Sequence, residues 1–169
     1  LFRSEIIAQK NGIVLEPPTL IPDIDVVVDG ADEVDKNHIM IKGGGGAHYR
    51  EKIMIDAADK SIIVADSSKY VDVITWPVPL EISEFSRFFV EEKIKQHGGK
   101  PVIRTLNKGY PFFTQNGNLV IDAHFGNIED PLKLEQLLLN IPGIIANGIF
   151  SMKIDTFFKA NEDGSVETV

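Results

Sequence analysis

Val26-Val27-Val28-Asp29-Gly30-Ala31-Asp32-Glu33, then Lys42-Gly43-Gly44-Gly45-Gly46, then Arg50-Glu51-Lys52, is the stretch that decides how this chain folds. The valines read as a short strand, and Ala47 to Lys60 reads as a helix. Carboxylates therefore stand at a strand end, while a lysine and four glycines lead into a helix start. A parallel α/β sheet places its ligand site at that edge. Consecutive glycines cost stability, because each loses more backbone freedom on folding than any other residue. What they offer is close approach of backbone N–H groups to something small and negative.

The rest of the composition sets bounds. With 169 residues the chain makes one ordinary domain or two small ones, and its 43% hydrophobic content suffices for a core. A formal net charge of −8 argues against nucleic acid as a partner. An anionic ligand must then be held by a local basic cluster, with Lys42, Arg50, Lys52 and Lys69 as candidates. There are no cysteines, which excludes disulfides, thiolate metal sites and cysteine nucleophiles. No apolar run approaches the roughly 18 residues that span a bilayer, and no signal peptide is recognisable. Leu1-Phe2-Arg3-Ser4 reads as the opening of a helix already under way in a longer protein.

Outward from the central stretch, Ser4 to Lys10 predicts a helix stopped by Asn11-Gly12. Ile13 to Leu15 predicts a short strand, broken by Glu16-Pro17-Pro18. Asp25 to Val28 delivers Asp29, and His38 to Ile41 delivers Lys42. Ser61 to Ala65 predicts a strand buried on both faces, ending in Asp66-Ser67-Ser68-Lys69. The texture changes near Trp76-Pro77. From there we expect a strand (78–82), a helix (84–97), a strand (100–104) and a hairpin of 111–114 with 119–123 around Asn116-Gly117. A helix (131–140) and a strand (144–150) follow. This order predicts an α+β layer, and 155–159 and 166–169 read as strands returning to the first unit.

Each chemical constellation admits more than one reading. Asp29, Asp32, Glu33 and Asp35 suit a cation site, a catalytic cluster or a solvated turn, although the spacing of a calcium-binding EF-hand loop is absent. Gly43 to Gly46 suits a ligand-free flexible loop or an oxyanion cradle; it is neither a dinucleotide fingerprint nor a P-loop. Glu51, on one helix face with Met54, Ile55 and Ala58, suits a surface ion pair or a partly buried general base. The four histidines, His38, His48, His97 and His124, show no pair at metal-ligand spacing, so no metal is expected. Ser67 and Ser68 lack a nucleophile elbow.

Asp29-Gly-Ala-Asp32-Glu33, Ile41-Lys42-Gly-Gly-Gly-Gly-Ala47, Arg50-Glu51-Lys52-Ile53 and Ala65-Asp66-Ser67-Ser68-Lys69 closely resemble ribose-5-phosphate isomerase, type A. The likeness continues in order through Pro77-Val78-Pro79-Leu80-Glu81, Gly98-Gly99, Asn116-Gly117-Asn118, Asp122 and Ile141-Pro142-Gly143. It implies an α/β fold: a Rossmann-like three-layer domain (1–75, completed by 151–169) carrying a smaller ferredoxin-like α+β domain (76–150). It also implies a preceding strand, helix and Gly/Ser/Thr-rich loop that this sequence does not contain.

The resemblance implies a cytoplasmic, cofactor-free homodimer or homotetramer acting on a small sugar phosphate. Ribose 5-phosphate and ribulose 5-phosphate would interconvert through an enediolate. Glu51 matches the family's proton acceptor. Asp29, Gly30, Ala31 and Asp32, together with Lys42, Gly43, Gly44 and Gly45, match substrate-binding stretches, and Lys69 matches a further substrate contact. Lys42 and the loop N–H groups would stabilise the oxyanion, and Asp29 and Asp32 would orient hydroxyls, one of them relaying a proton. Two rivals are a non-catalytic sugar-phosphate sensor and another phosphosugar acid–base enzyme, such as an amino-sugar deaminase-isomerase.

Overall fold

The computed structural model describes residues 2–17 and 23–169. Leu1, part of the expected helix opening, and Pro18, part of the expected strand breaker, lie outside the described residues. In chain order the elements are α1 (Phe2–Lys10), β1 (Ile24–Asp29), β2 (Glu33–Asp35), β3 (Met40–Ile41), α2 (His48–Ala57), β4 (Ala58–Asp66) and β5 (Tyr70–Val71). They continue with β6 (Val78–Ile82), α3 (Arg87–Gln96), β7 (Lys100–Ile103), β8 (Leu119–His124), α4 (Pro131–Leu139), β9 (Ile144–Asn147), β10 (Ile149–Phe150), β11 (Thr156–Ala160) and β12 (Val166–Thr168).

Among the described residues these strands make three four-stranded sheets. The first, β1-β4-β11-β12, is parallel except for its last strand. Helix α2 packs on β1 and β4, and Ile55 joins Ile63 and Phe157 in the core beneath it. The last sheet, β7-β8-β6-β9, is wholly antiparallel. With α3 and α4 it forms the βαββαβ arrangement of a ferredoxin-like layer. Helix α4 starts where the sequence directs it: the Asp130 carboxylate accepts a hydrogen bond from Lys133 N at 3.0 Å, and Pro131 opens the first turn.

Between these two lies the short sheet β10-β3-β2-β5. Alternation along its strands serves both neighbours. Met40 and Phe150 face the first core, whereas Ile41 and Ile149 face the second. This shared wall fixes the residue that follows β3, Lys42, against both halves of the molecule.

Several expectations need correction. Ile13 to Leu15 forms no strand, and Val14 is 80% exposed. The strand at 61–65 runs from Ala58 to Asp66 and is covered on one face only, with Ser61, Ile63 and Ala65 buried and Val64 exposed. The helix after Ala47 accordingly stops at Ala57. The helix at 84–97 begins with a 3-10 turn at Glu84–Ser86. The hairpin partner of β8 is β7; residues 111–114 contribute only isolated bridges. The single strand expected at 144–150 is two. It breaks at Gly148, where a side chain would collide with the Lys42 carbonyl, and its second half joins the middle sheet.

Candidate active site

Asp29 ends β1, and the chain turns through Gly30 and Ala31 to Asp32. Strands β2 and β3 then form a tight hairpin with Glu33 opposite Ile41. Asp35 closes it, accepting hydrogen bonds from the N–H groups of Asn37 and Ile39 at 2.8 Å each. His38 takes a positive φ of 61° in that turn. The hairpin returns Lys42 beside Asp32, and Lys42 N is fixed by the Gly148 carbonyl at 2.9 Å. Separate pieces of the 29–51 stretch thus converge on one hollow of about 210 Å³. It is lined by Asp29, Gly30, Ala31, Asp32, Lys42, Gly43, Gly44, Gly45 and Glu51.

The Lys42 side chain is only 3% exposed. Its ammonium donates to Asp29 Oδ2 at 2.8 Å and to the Gly30 carbonyl at 2.5 Å. Glu51 Oε2 lies 3.2 Å from the same nitrogen. That contact is an ion pair without hydrogen-bond alignment, so the buried Oε2 has no hydrogen-bond partner among the described residues. Burial raises the Glu51 pKa, and Asp29 and Asp32 push it the same way; the Lys42 charge opposes them. A carboxylate with raised proton affinity, facing a hollow, suits proton abstraction from carbon.

The glycine loop is built as a tight turn, with Gly46 N donating to Gly43 O at 2.9 Å. Gly43 and Gly46 have positive φ, and side chains there would strike His48 and Phe112. Gly44 N donates to Asp32 Oδ2 at 2.8 Å, and a Cβ on Gly44 would meet that carboxylate. Only Gly45 looks onto open space.

The acidic run is divided between the end of β1 with its turn, which holds Asp29 and Asp32, and β2. Glu33 and Asp35 are buried away from the hollow; Glu33 accepts from Thr75 N and Trp76 N at 2.7 and 2.8 Å. The basic candidates are dispersed as well. Arg50 donates to Gln115 and Asn116, Lys52 pairs with Glu135, and Lys69 lies over the Trp76 ring outside the hollow's lining.

Sequence reading missed Arg104, His48 and Glu81. Arg104 Nη1 donates to the carbonyls of Gly43 and Gly44 at 2.8 and 3.1 Å, and Asp122 holds its other edge. His48 is fully buried behind Gly43, with its pKa lowered from 6.5 to about 4 by burial. Glu81, also buried, gathers Thr114, Asn116 and Asn118 on one oxygen. Only the third had a sequence signal, a lone Glu inside an apolar strand. A separate depression of about 320 Å³, lined in part by Asp35, His38, Tyr70 and Lys159, holds one member of the acidic run, Asp35, and none of the residues that match the family's site. Among the described residues no helix is long and apolar enough to cross a membrane.

A Rossmann-like sheet joined to a ferredoxin-like layer, with a buried lysine and a desolvated glutamate in contact on the wall of one small hollow, defines an α/β protein with a candidate site at a sheet edge. The family of ribose 5-phosphate isomerase A (phosphoriboisomerase A) matches residues 2–164. The chain belongs to that family. Ribose-5-phosphate isomerase A of Nostoc sp. is 43% identical over 152 residues, covering 88% of this chain and 64% of that protein. The Methanosarcina acetivorans protein of the same name is 39% identical over 169 residues, covering 99% and 72%. The chain therefore spans just under two thirds of the Nostoc relative. The solved structure of ribose 5-phosphate isomerase A from Methanocaldococcus jannaschii superposes with a TM-score of 0.90 at 36% identity, covering 99% of this chain and 75% of that one. A D-ribose-5-phosphate isomerase in complex with phospho-erythronic acid gives 0.92 at 37% identity, covering 99% and 74%.

Proposed function

We propose that this chain carries the acid–base centre of an aldose–ketose isomerase that interconverts D-ribose 5-phosphate and D-ribulose 5-phosphate through an enediolate. The observation that carries the reading is the buried Oε2 of Glu51, ion-paired at 3.2 Å with the buried Lys42 ammonium but without a hydrogen-bond donor among the described residues, on the wall of a hollow of sugar size. Glu51 takes the proton from C2 of the aldose, and the electron pair moves through C1 to the carbonyl oxygen. The same carboxyl returns the proton to C1, while a hydroxyl proton passes from O2 to O1. Lys42 and the loop N–H groups stabilise the negative oxygen. Asp29 and Asp32 orient hydroxyls, and Asp29, bound to Lys42, relays the hydroxyl proton.

The relative with phospho-erythronic acid supports this substrate class, since that ligand pairs a phosphate with a planar, anionic carboxylate resembling an enediolate. Lys69 is assigned a contact with the substrate. Because only protons move, no redox cofactor is called for. On the same footing we assign residues 1–75 and 151–169 to the catalytic domain and 76–150 to the ferredoxin-like domain. The whole protein is proposed as a cytoplasmic homodimer or homotetramer of the non-oxidative pentose phosphate pathway.

The test is solvent deuterium uptake at C2 of ribose 5-phosphate by the whole protein, with E51Q alongside. Turnover of E51Q should fall about 10²–10⁴-fold with little change in affinity. Near-parental exchange by E51Q would remove Glu51 from its role; binding without any exchange by the parent would make the protein a sensor.

A further inference from the structure

The glycine loop is gripped from behind by a residue just past the end of β7, in the last sheet. Arg104 follows β7 and is locked to that sheet by Arg104 N to Val120 O and Phe112 N to Arg104 O, each at 2.9 Å. Asp122 on β8 takes its Nε at 2.9 Å and its Nη2. The two protons of Nη1 remain for the loop, and this nitrogen donates to two consecutive loop carbonyls, Gly43 and Gly44. The side chain is 15% exposed, so these charge-assisted bonds form largely out of water.

Peptide planarity carries the consequence across the loop. No peptide in the described chain is cis, so each N–H points opposite to the C=O of the same unit. In the Gly43–Gly44 unit the carbonyl is held by Arg104, and the N–H donates to Asp32 at 2.8 Å. In the Gly44–Gly45 unit the carbonyl is held by the same guanidinium. The N–H of Gly45 then points away from Arg104, has no hydrogen-bond partner among the described residues, and belongs to a residue that lines the hollow.

We infer that Arg104 is a positioning residue: by holding the carbonyls of Gly43 and Gly44 it presets the Gly45 N–H as a donor to the oxygen that becomes negative during reaction. This rests on the isomerase reading above. A cation on the carbonyl also polarises the peptide, which strengthens the N–H on its far side. Lysine cannot substitute, because one ammonium cannot satisfy two carbonyls and both oxygens of Asp122 in a planar fork.

The test compares R104Q and R104K with the parent in the whole protein, reading kcat and KM for ribose 5-phosphate and the Gly45 amide signal by NMR. A misaimed donor costs about 10–10²-fold in rate. R104Q should therefore lose that factor in kcat with KM within about threefold, the split expected of a transition-state contact. R104K should lose at least about fivefold although the charge is kept. In the parent, saturating substrate should move the Gly45 amide proton downfield, a readout that needs no variant to fold. Parental kcat in either variant, a loss confined to KM, or an unmoved Gly45 amide would overturn the inference. An active parent with unaffected variants removes this inference alone; a parent that never exchanges the C2 proton removes the isomerase reading and this inference with it.

Discussion

Replacing Lys42 by methionine tests whether one ammonium holds the hollow together. Methionine keeps an unbranched stem of similar length, so what is lost is the charge and its three contacts: Asp29 Oδ2 at 2.8 Å, Gly30 O at 2.5 Å and Glu51 Oε2 at 3.2 Å. Hydrogen bonds to charged groups contribute about 1.5–3 kcal/mol each, and removing one partner of a buried pair costs about 3–5 kcal/mol. The abandoned carboxylates are 32% and 19% exposed and regain water. That reduces the expected loss to about 2–4 kcal/mol at neutral pH. At about 2–4 °C per kcal/mol for a chain of this size, Tm should drop by roughly 4–16 °C.

The pH dependence makes the prediction specific. In the parent, Lys42 is the opposing influence on a Glu51 pKa that burial, Asp29 and Asp32 raise. Without Lys42 only the raising influences remain. An acid with a raised folded-state pKa binds its proton more tightly in the folded than in the unfolded chain. Its stabilising contribution is present below the ordinary carboxylate pKa and is lost as pH rises through the folded-state value. The deficit of K42M should therefore be largest at neutral pH and shrink on acidification. Thermal melts of the whole protein between about pH 5 and 8 read this directly. A deficit that stays flat or grows with acid would refute the reasoning. In turnover, K42M should lose about 10²–10³ in kcat; a change confined to KM would make Lys42 a uniform binding group.

Two further predictions follow from the residues around the loop. His48 is depressed from 6.5 to about 4, so its neutral form stabilises the fold above pH 6.5, and that contribution is lost as pH falls through the folded-state value. The amount is on the order of 3 kcal/mol, and H48L should flatten this part of the acid limb in urea denaturation; an unchanged limb would show that the ring is already charged or exposed. G46A places a Cβ against Phe112 at a φ of +73°, which should cost about 2–4 kcal/mol. Combining it with F112L should recover part of that loss, and no recovery would mean that backbone strain alone is responsible.

The parts of the fold legible in the sequence were those carried by local chemistry. Val78 to Ile82 was read to the residue because Pro77 and Ser83 punctuate a short apolar run. The start of α4 was read within a residue because Asp130-Pro131 is a capping signal. The middle sheet was not legible. Its strands Glu33–Asp35, Met40–Ile41 and Ile149–Phe150 are two or three residues long, too short for a period to register, and tertiary pairing alone creates them. The same cause hid the break at Gly148. In the site, Asp29, Lys42, Gly43 to Gly45 and Glu51 were identifiable as residue types, and the structure brings them to one hollow. Glu33, Asp35, Arg50 and Lys52 carried equal chemical promise, and only strand position and helix phase sent them elsewhere.

The glycine run shows why composition overstates ligand contact. Four glycines in a row invite the reading that all of them serve a bound anion. Gly43 and Gly46 are instead glycine because the turn requires positive φ beside His48 and Phe112, and Gly44 because Asp32 must reach its N–H. Three of the four thus answer to the protein's own side chains, which leaves Gly45 open to the hollow. A loop tied at three points, with Arg104 on its carbonyls, has already lost the freedom that its composition suggests. That loss is a cost to folding, but it is already complete in the fold itself. A preset donor contributes its full strength at the transition state without reorganising, which is the use to which a rigid polyglycine turn is suited.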